Sequence, residues 1–326
     1  MTLPRLRLIA TGGTIAGVAD SADLASAYRA AALGPDALRA AVPALAQVAR
    51  IDTETAAAID SKNATPTFWQ HLAGRVQAAA DDPEVDGVVV THGTDTLEES
   101  AYYLQLVLKS DKPVVFVGAM RPATSLSADG PLNLLNAVRV AARADAGGRG
   151  VLVALNHLVH GAGEAAKADT LRPDSFVSQP AGPLGLVQDD RVVWLARTER
   201  AHTMATPFRA DSPLRPVDIL PSYPGVSPMW VQAAVASGAA GIVWAGTGNG
   251  SVPAAIEPAL AAAAAKGIAV IRAARVGGYV MPRADDAAHG FVAAGRLSPF
   301  KARVLAMLAL GAGWRGERLR EAFERF

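Results

Sequence analysis

The sequence predicts an α/β protein: a doubly wound, mainly parallel sheet in a larger N-terminal domain, then a smaller C-terminal α/β domain. Three observations support this. Short, continuous Val- and Leu-rich runs bounded by Gly, Pro or Asp read as strands buried on both faces. Stretches with helical periodicity lie between them, as β-α-β-α order requires. A proline-rich stretch from about 200 to 228 interrupts the alternation, which then resumes.

In chain order, the N-terminal strands are "RLRLIA", "DGVVVT", "KPVVFVG" and "GVLVALN". The helices between them are "GPDALRAAVPALAQVA", "TPTFWQHLAGRVQAAA", "DTLEESAYYLQLVL" and "PLNLLNAVRVAARA". After the prolines come strands at "AGIVWAG" and "GIAVIRAA", with helices in "SPMWVQAAVASG", "VPAAIEPALAAAAAKG" and "SPFKARVLAMLALGAG". The expected division is a larger N-terminal α/β domain over 1–198, a surface linker over 199–214 and a second α/β domain over 215–326.

Composition narrows the function. Of 326 residues 51% are apolar, ample for a large core, and 31 Lys and Arg against 30 Asp and Glu leave a net charge of +1. No global field recruits nucleic acid or an anionic membrane. With no cysteine there is no disulfide, thiolate nucleophile or cysteine metal site. The longest apolar run, "PALAAAAAKGIAVI", is broken by Lys266 and Gly267 before it could span a bilayer. The expected compartment is the cytoplasm, or the periplasm if a signal peptide has been removed.

Two strand ends carry the candidate chemistry. "RLRLIATGGTIAG" runs from a strand into a glycine turn, but Thr14 stands where the middle glycine of a dinucleotide fingerprint must be, and no Walker lysine follows. From the residues alone Thr14 is open to two readings, a helix cap or a hydroxyl presented at the strand tip. "VVVTHGTDTLEES" repeats the pattern, with Thr94 and Asp95 either capping a helix or facing the same pocket. A threonine hydroxyl is a weak nucleophile and needs an adjacent base.

These motifs, with "DKPVVFVGAMRPATSLSADGPLNLLNAV", "GPLG", "AGTGNG" and "GFVAAGRLSPFKARVLAMLAL", resemble the bacterial L-asparaginase family of asparaginase/glutaminase type, nearly end to end. The resemblance implies an amidohydrolase that converts L-asparagine to L-aspartate and ammonia. Thr14 would form the acyl-enzyme, with Tyr28 poised to take its proton. Thr94, Asp95 and Lys167 would form the second network, and Asp95 would also bind the substrate α-ammonium. Ser61 would hold the α-carboxylate, the Ala119 carbonyl would accept from the amide, and Ser251 would reach in from a neighbouring chain. A homotetramer of tight dimers is implied, with no cofactor and no metal.

Two departures stand out. Lys62 occupies a substrate-binding position that is usually Gln or Glu, where an inward-pointing cation would repel the α-ammonium. The segment "RVGGYVMPRADDAAHG" has no glutamate where the family often supplies one, which leaves Asp95 on the ammonium unless Asp60, Asp285 or Asp286 substitutes. The expectation is asparaginase activity with a raised KM and weak or no glutaminase activity. Other classes fit less well. His157 and His160 lack an HExxH pattern, and no G-x-S-x-G elbow is present. An ammonia-supplying amidotransferase subunit would carry an added N-terminal domain ahead of the nucleophile. A non-catalytic binding protein on the same sheet would release no ammonia.

Overall fold

The computed structural model describes residues 2–23 and 27–326. The chain divides into two compact units between Asp211 and Ser212. The first begins with strand β1 (Arg5–Gly12), a small hairpin of β2 (Val18–Ala19) and β3 (Tyr28–Arg29), helix α1 (Pro35–Ala40) and strand β4 (Arg50–Ile59). There follow α2 (Pro66–Asp81), β5 (Gly87–Thr91), α3 (Leu97–Val107), β6 (Val114–Val117), α4 (Gly130–Ala141) and β7 (Val151–Leu155). Short strands close the unit: β8 (Leu158–Gly161), β9 (Ala165–Lys167), β10 (Phe176–Ser178), β11 (Gly185–Gln188) and β12 (Arg191–Trp194).

The main sheet has eight strands in the order β4-β1-β5-β6-β7-β8-β11-β12, while β9 and β10 form a separate ribbon. From β4 to β7 the strands are parallel, and from β7 to β12 antiparallel. The chain leaves β1 for β4 on one side and returns to β5 on the other. A topological switch point therefore lies between β1 and β5, where open α/β sheets bind ligands beyond the strands' C-terminal ends.

Each expected N-terminal apolar run is a strand, and alternate residues face opposite layers. Leu6, Leu8, Val89, Val115 and Val117 share a core with Leu134, Ala137 and Val138 of α4. Phe116 points the other way, to His92, which in turn meets Phe68 of α2. There Trp69 stacks on Tyr103 of α3 at 5.7 Å and donates its indole N–H to Ser100 at 3.1 Å. Each fully buried Leu or Val contributes roughly 1.5–3 kcal/mol. Apolar burial on both faces therefore holds the strand tips in register.

Two sequence readings are revised. The helix expected across 34–49 stops at Ala40, and a 3-10 segment, Pro43–Gln47, follows. Pro43 has no N–H for an i−4 carbonyl, and its ring clashes with the preceding turn. The stretch read as a surface linker packs on the first unit for much of its length: Thr203, Thr206 and Phe208 are buried. Lys109 fastens it, donating to the carbonyls of Thr203 (2.7 Å) and Thr206 (2.6 Å) and to the Thr206 hydroxyl (2.7 Å). Burial, with Arg209 adding to it, lowers the Lys109 pKa to about 8.

The second unit contains β13 (Val217–Pro221), α5 (Met229–Ala236), β14 (Gly241–Gly246), α6 (Glu257–Ala265), β15 (Ala269–Ala274), α7 (Asp286–His289), β16 (Phe291–Ala293), α8 (Pro299–Gly311) and α9 (Gly316–Arg325). Its four strands are parallel and lie in chain order. Val231, Ile256 and Leu260 from α5, α6 and the turn between β14 and α6 cover Ile242, Trp244 and Val270. Among the described residues, no helix is long and apolar enough to cross a membrane.

Candidate active site

The turn after β1 explains the glycines around Thr14. Gly13 has φ +80°, and a Cβ there would lie 2.4 Å from the Gly93 Cα. Only glycine lets the tips of β1 and β5 touch. Thr11 ties them further, donating its hydroxyl to the Thr91 carbonyl at 2.9 Å. Gly17 serves a different purpose. A Cβ there would sit 2.8 Å from the ring of Tyr28, so its bare backbone gives that ring room. Tyr28 comes from the small hairpin, paired with Ala19, and its hydroxyl lies 2.7 Å from Thr14 Oγ1. Thr14 is buried and Tyr28 half-buried.

The second network stands one strand away. Lys167, the last residue of β9, donates to Thr94 Oγ1 at 2.9 Å and to Asp95 Oδ1 at 2.6 Å. The ribbon that presents it is anchored from behind, where Ser178 of β10 and His160 Nδ1 of β8 are 2.7 Å apart. Of the two histidines weighed as metal ligands, His160 makes this contact and His157 bonds through Nδ1 to the Val187 carbonyl at 3.0 Å.

Ser61, buried just past β4, flanks the same gap: a Cβ on Gly93 would meet its Oγ at 2.6 Å. The Thr96 hydroxyl donates to the Ser61 carbonyl at 2.8 Å. Lys62 does not project a bare cation into the cleft. It is exposed and its ammonium pairs with Asp60 at 2.9 Å. The Asp60 hydrogen bond and charge raise its pKa, and Asp95 and Tyr28 add to the effect, so all three lie within its electrostatic reach.

Ala119 is buried after β6, and a Cβ on the preceding Gly118 would meet Thr94 Cγ2 at 2.9 Å. Sequence reasoning missed the residues that shape this turn. Asp129 accepts from the backbone N–H groups of Met120 (2.9 Å) and Arg121 (3.0 Å), and Asn133 donates to the Gly118 carbonyl at 3.1 Å. The "DG" and "N" of "ADGPLN" carry no local pattern that joins them to a turn eight to fifteen residues upstream. Only the fold does.

Ser251 belongs to the second unit, where it is exposed, pairs with Thr247 and accepts from the Trp244 indole at 3.0 Å. The carboxylates suggested as substitutes for the missing glutamate have other partners. Asp60 holds Lys62, Asp285 holds Arg283, and Asp286 grips the buried Arg272 with both oxygens, at 2.6 and 2.5 Å. Glu257, Asp285 and His289 bring metal-ligand atoms within 4.8 Å of one another, a cluster the sequence did not reveal. The Arg283 guanidinium already supplies it with positive charge, on Asp285 and 3.9 Å from Glu257.

Thr14, Thr94, Asp95, Ser61 and Ala119 thus stand at the C-terminal tips of four adjacent parallel strands, with Tyr28 and Lys167 each bonded to one of the two threonines. The arrangement sets one threonine hydroxyl against a tyrosine hydroxyl and the other in a lysine–hydroxyl–carboxylate chain, which are the kinds of groups that acid–base and nucleophilic chemistry use.

The family description "Asparaginase, N-terminal" matches residues 5–200, and "Glutaminase/Asparaginase C-terminal domain" matches residues 216–323. The chain is 43% identical over 311 residues to L-asparaginase 2 of Bacillus subtilis, covering 94% of this chain and 83% of that protein. It is also 43% identical over 314 residues to the glutaminase-asparaginase of Pseudomonas fluorescens biotype A, covering 94% and 86%. A probable periplasmic L-asparaginase of Haemophilus influenzae is 44% identical, covering 99% and 93%. The crystal structure of a probable cytoplasmic L-asparaginase from Campylobacter jejuni superposes with a TM-score of 0.96 at 41% identity, covering 99% of this chain and all of that one.

Proposed function

The chain belongs to the asparaginase/glutaminase family of amidohydrolases, and from that premise we infer that it hydrolyses L-asparagine to L-aspartate and ammonia through an ester on Thr14. The observation that carries this reading is the pairing of two hydroxyl networks at touching strand tips, Thr14 with Tyr28 and Thr94 with Lys167 and Asp95.

Thr14 Oγ1 attacks the side-chain amide carbon while its proton leaves along the 2.7 Å contact to Tyr28. The C–N bond breaks and the nitrogen departs as ammonia with a proton from this network. Water then opens the ester, its oxygen passing to aspartate and a proton returning to Thr14. Asp95, bonded to Lys167 through Oδ1, uses its exposed side to pair with the α-ammonium. Ser61 receives the α-carboxylate. No described residue donates to the Ala119 carbonyl, which is left to accept from the substrate amide. Hydrogen bonds to charged groups of this kind contribute about 1.5–3 kcal/mol each.

Ammonia release from asparagine by the purified chain tests the reading, together with mass spectrometry of rapidly quenched enzyme to detect the ester. Thr14→Ala should abolish both, and undiminished release from that variant would falsify the mechanism. Glutaminase activity is weak in this reading, because a longer substrate depends more on a firm grip at the head group, where Lys62 replaces an acceptor. The ratio of kcat/KM for asparagine to that for glutamine measures it. A homotetramer in which Ser251 completes a neighbour's site, and a cytoplasmic location, as named for the probable cytoplasmic L-asparaginase of Campylobacter jejuni, complete the proposal. Sedimentation equilibrium and cell fractionation address these two points.

A further inference from the structure

His92 is a buried titratable group for which the reaction above has no use. It lies between Thr91, the last residue of β5, and the Gly93–Thr94–Asp95 turn. The residue is 1% exposed, and its ring sits against Phe68 on one side and Phe116 on the other, each with centroids 5.8 Å away. Its backbone N–H donates to the Val117 carbonyl at 2.9 Å, so the main chain here is still held to β6. Its Nδ1 lies 2.8 Å from the Gly93 carbonyl oxygen. A carbonyl only accepts, so Nδ1 carries the proton, and Nε2 is the bare nitrogen, buried and without a partner among the described residues. Burial keeps the imidazole neutral, its pKa pushed down to about 4.

The bond from His92 matters because of the residue it holds. Gly93 must be glycine: a Cβ there would overlap Ser61, and its Cα touches the Gly13 turn. The cost of that fit is a freely rotating backbone just before Thr94. The Gly93 carbonyl and the Thr94 N–H belong to one planar trans peptide and point in opposite directions. A donor that holds the carbonyl toward the aromatic layer therefore turns the Thr94 N–H away from it. Among the described residues that N–H has no acceptor. The Thr94 hydroxyl from the same residue receives Lys167 at 2.9 Å.

We propose that His92 is a positioning residue: its Nδ1–H locks the Gly93–Thr94 peptide, so that the Thr94 N–H and hydroxyl are both aimed at the reacting amide. The inference rests on the amidohydrolase reading. It assigns His92 no proton transfer and no contact with substrate.

The test compares His92→Phe with His92→Asn. Phenylalanine fills the aromatic slot and removes the unpartnered Nε2, so the variant should fold, but it cannot donate. Asparagine places an amide N–H where Nδ1 was. His92→Phe should lower kcat for asparagine at least 30-fold with KM changed less than threefold, and His92→Asn should recover kcat to within about fivefold of the parent. A folded His92→Phe with parental kcat, or a His92→Asn as impaired as His92→Phe, overturns the proposal. Crystals of His92→Phe give a readout independent of turnover: the Gly93–Thr94 peptide should be rotated or disordered, and an unchanged peptide refutes the lock. Should the parent release no ammonia at all, the amidohydrolase reading falls on its own, and the peptide orientation still decides this one.

Discussion

Lys62 and Asp60 show how one substitution brings its own compensation. In the proposed reading Lys62 stands near the substrate α-ammonium and would weaken binding if left bare, yet Asp60 lies two residues away and takes it at 2.9 Å. The pair is solvated and screened, so its influence on a bound head group is small, roughly fivefold in affinity at most. Lys62→Gln should therefore lower KM for asparagine by up to about fivefold. Asp60→Asn, which strands the ammonium, should raise KM by a similar factor. Steady-state kinetics on both variants settle the matter, and equal KM values in all three proteins would show that the pair does not sense the substrate. The two threonines were legible because a strand followed by Gly and Thr occurs twice. Tyr28 and Lys167 were not, since a tyrosine in a loop and a lysine among alanines look like packing and solvent residues until distant elements meet. They came from family resemblance alone, and the structure puts each within hydrogen-bond reach of a threonine.

At the scale of elements, the sheet was readable wherever strands are buried on both faces and the sequence becomes an unbroken apolar run. It was not readable at β4, whose "RIDTETAAAI" alternates polar and small residues because it forms an edge of the sheet. The antiparallel strands after β7 are too short to show a period. The most stringent local requirement is the contact of the β1 and β5 turns. Gly13→Ala combines a positive φ with a Cβ only 2.4 Å from the neighbouring backbone, and neither turn can yield without moving a threonine. Its cost should be about 3 kcal/mol or more, read as a lower thermal midpoint with activity lost in the remaining folded fraction. Ala substituted at Gly74, inside α2 where nothing lies within 4 Å, is the steric control and should be neutral or slightly stabilising.

For the molecule as a whole, the buried His92 sets an acid limit. Well above pH 6.5 the ring is neutral in both the folded and the unfolded chain. Between 6.5 and about 4 the unfolded chain binds a proton that the folded one refuses, so stability falls as the pH drops. The full loss is about 3 kcal/mol and levels off below the lower value. Denaturant titrations from pH 7 to 4 should show this limb in the parent and a flatter one in His92→Asn, and identical limbs would assign the acid sensitivity elsewhere. The switch point between β1 and β5 has a consequence for substrate choice. Ser61, Thr14 and Thr94 follow three successive strands, β4, β1 and β5, and the glycine contacts between their turns draw them together. Their separation is thus set by main-chain contact, and a change in the preferred amide length falls to the side chains around them, Tyr28 and Lys62 among them.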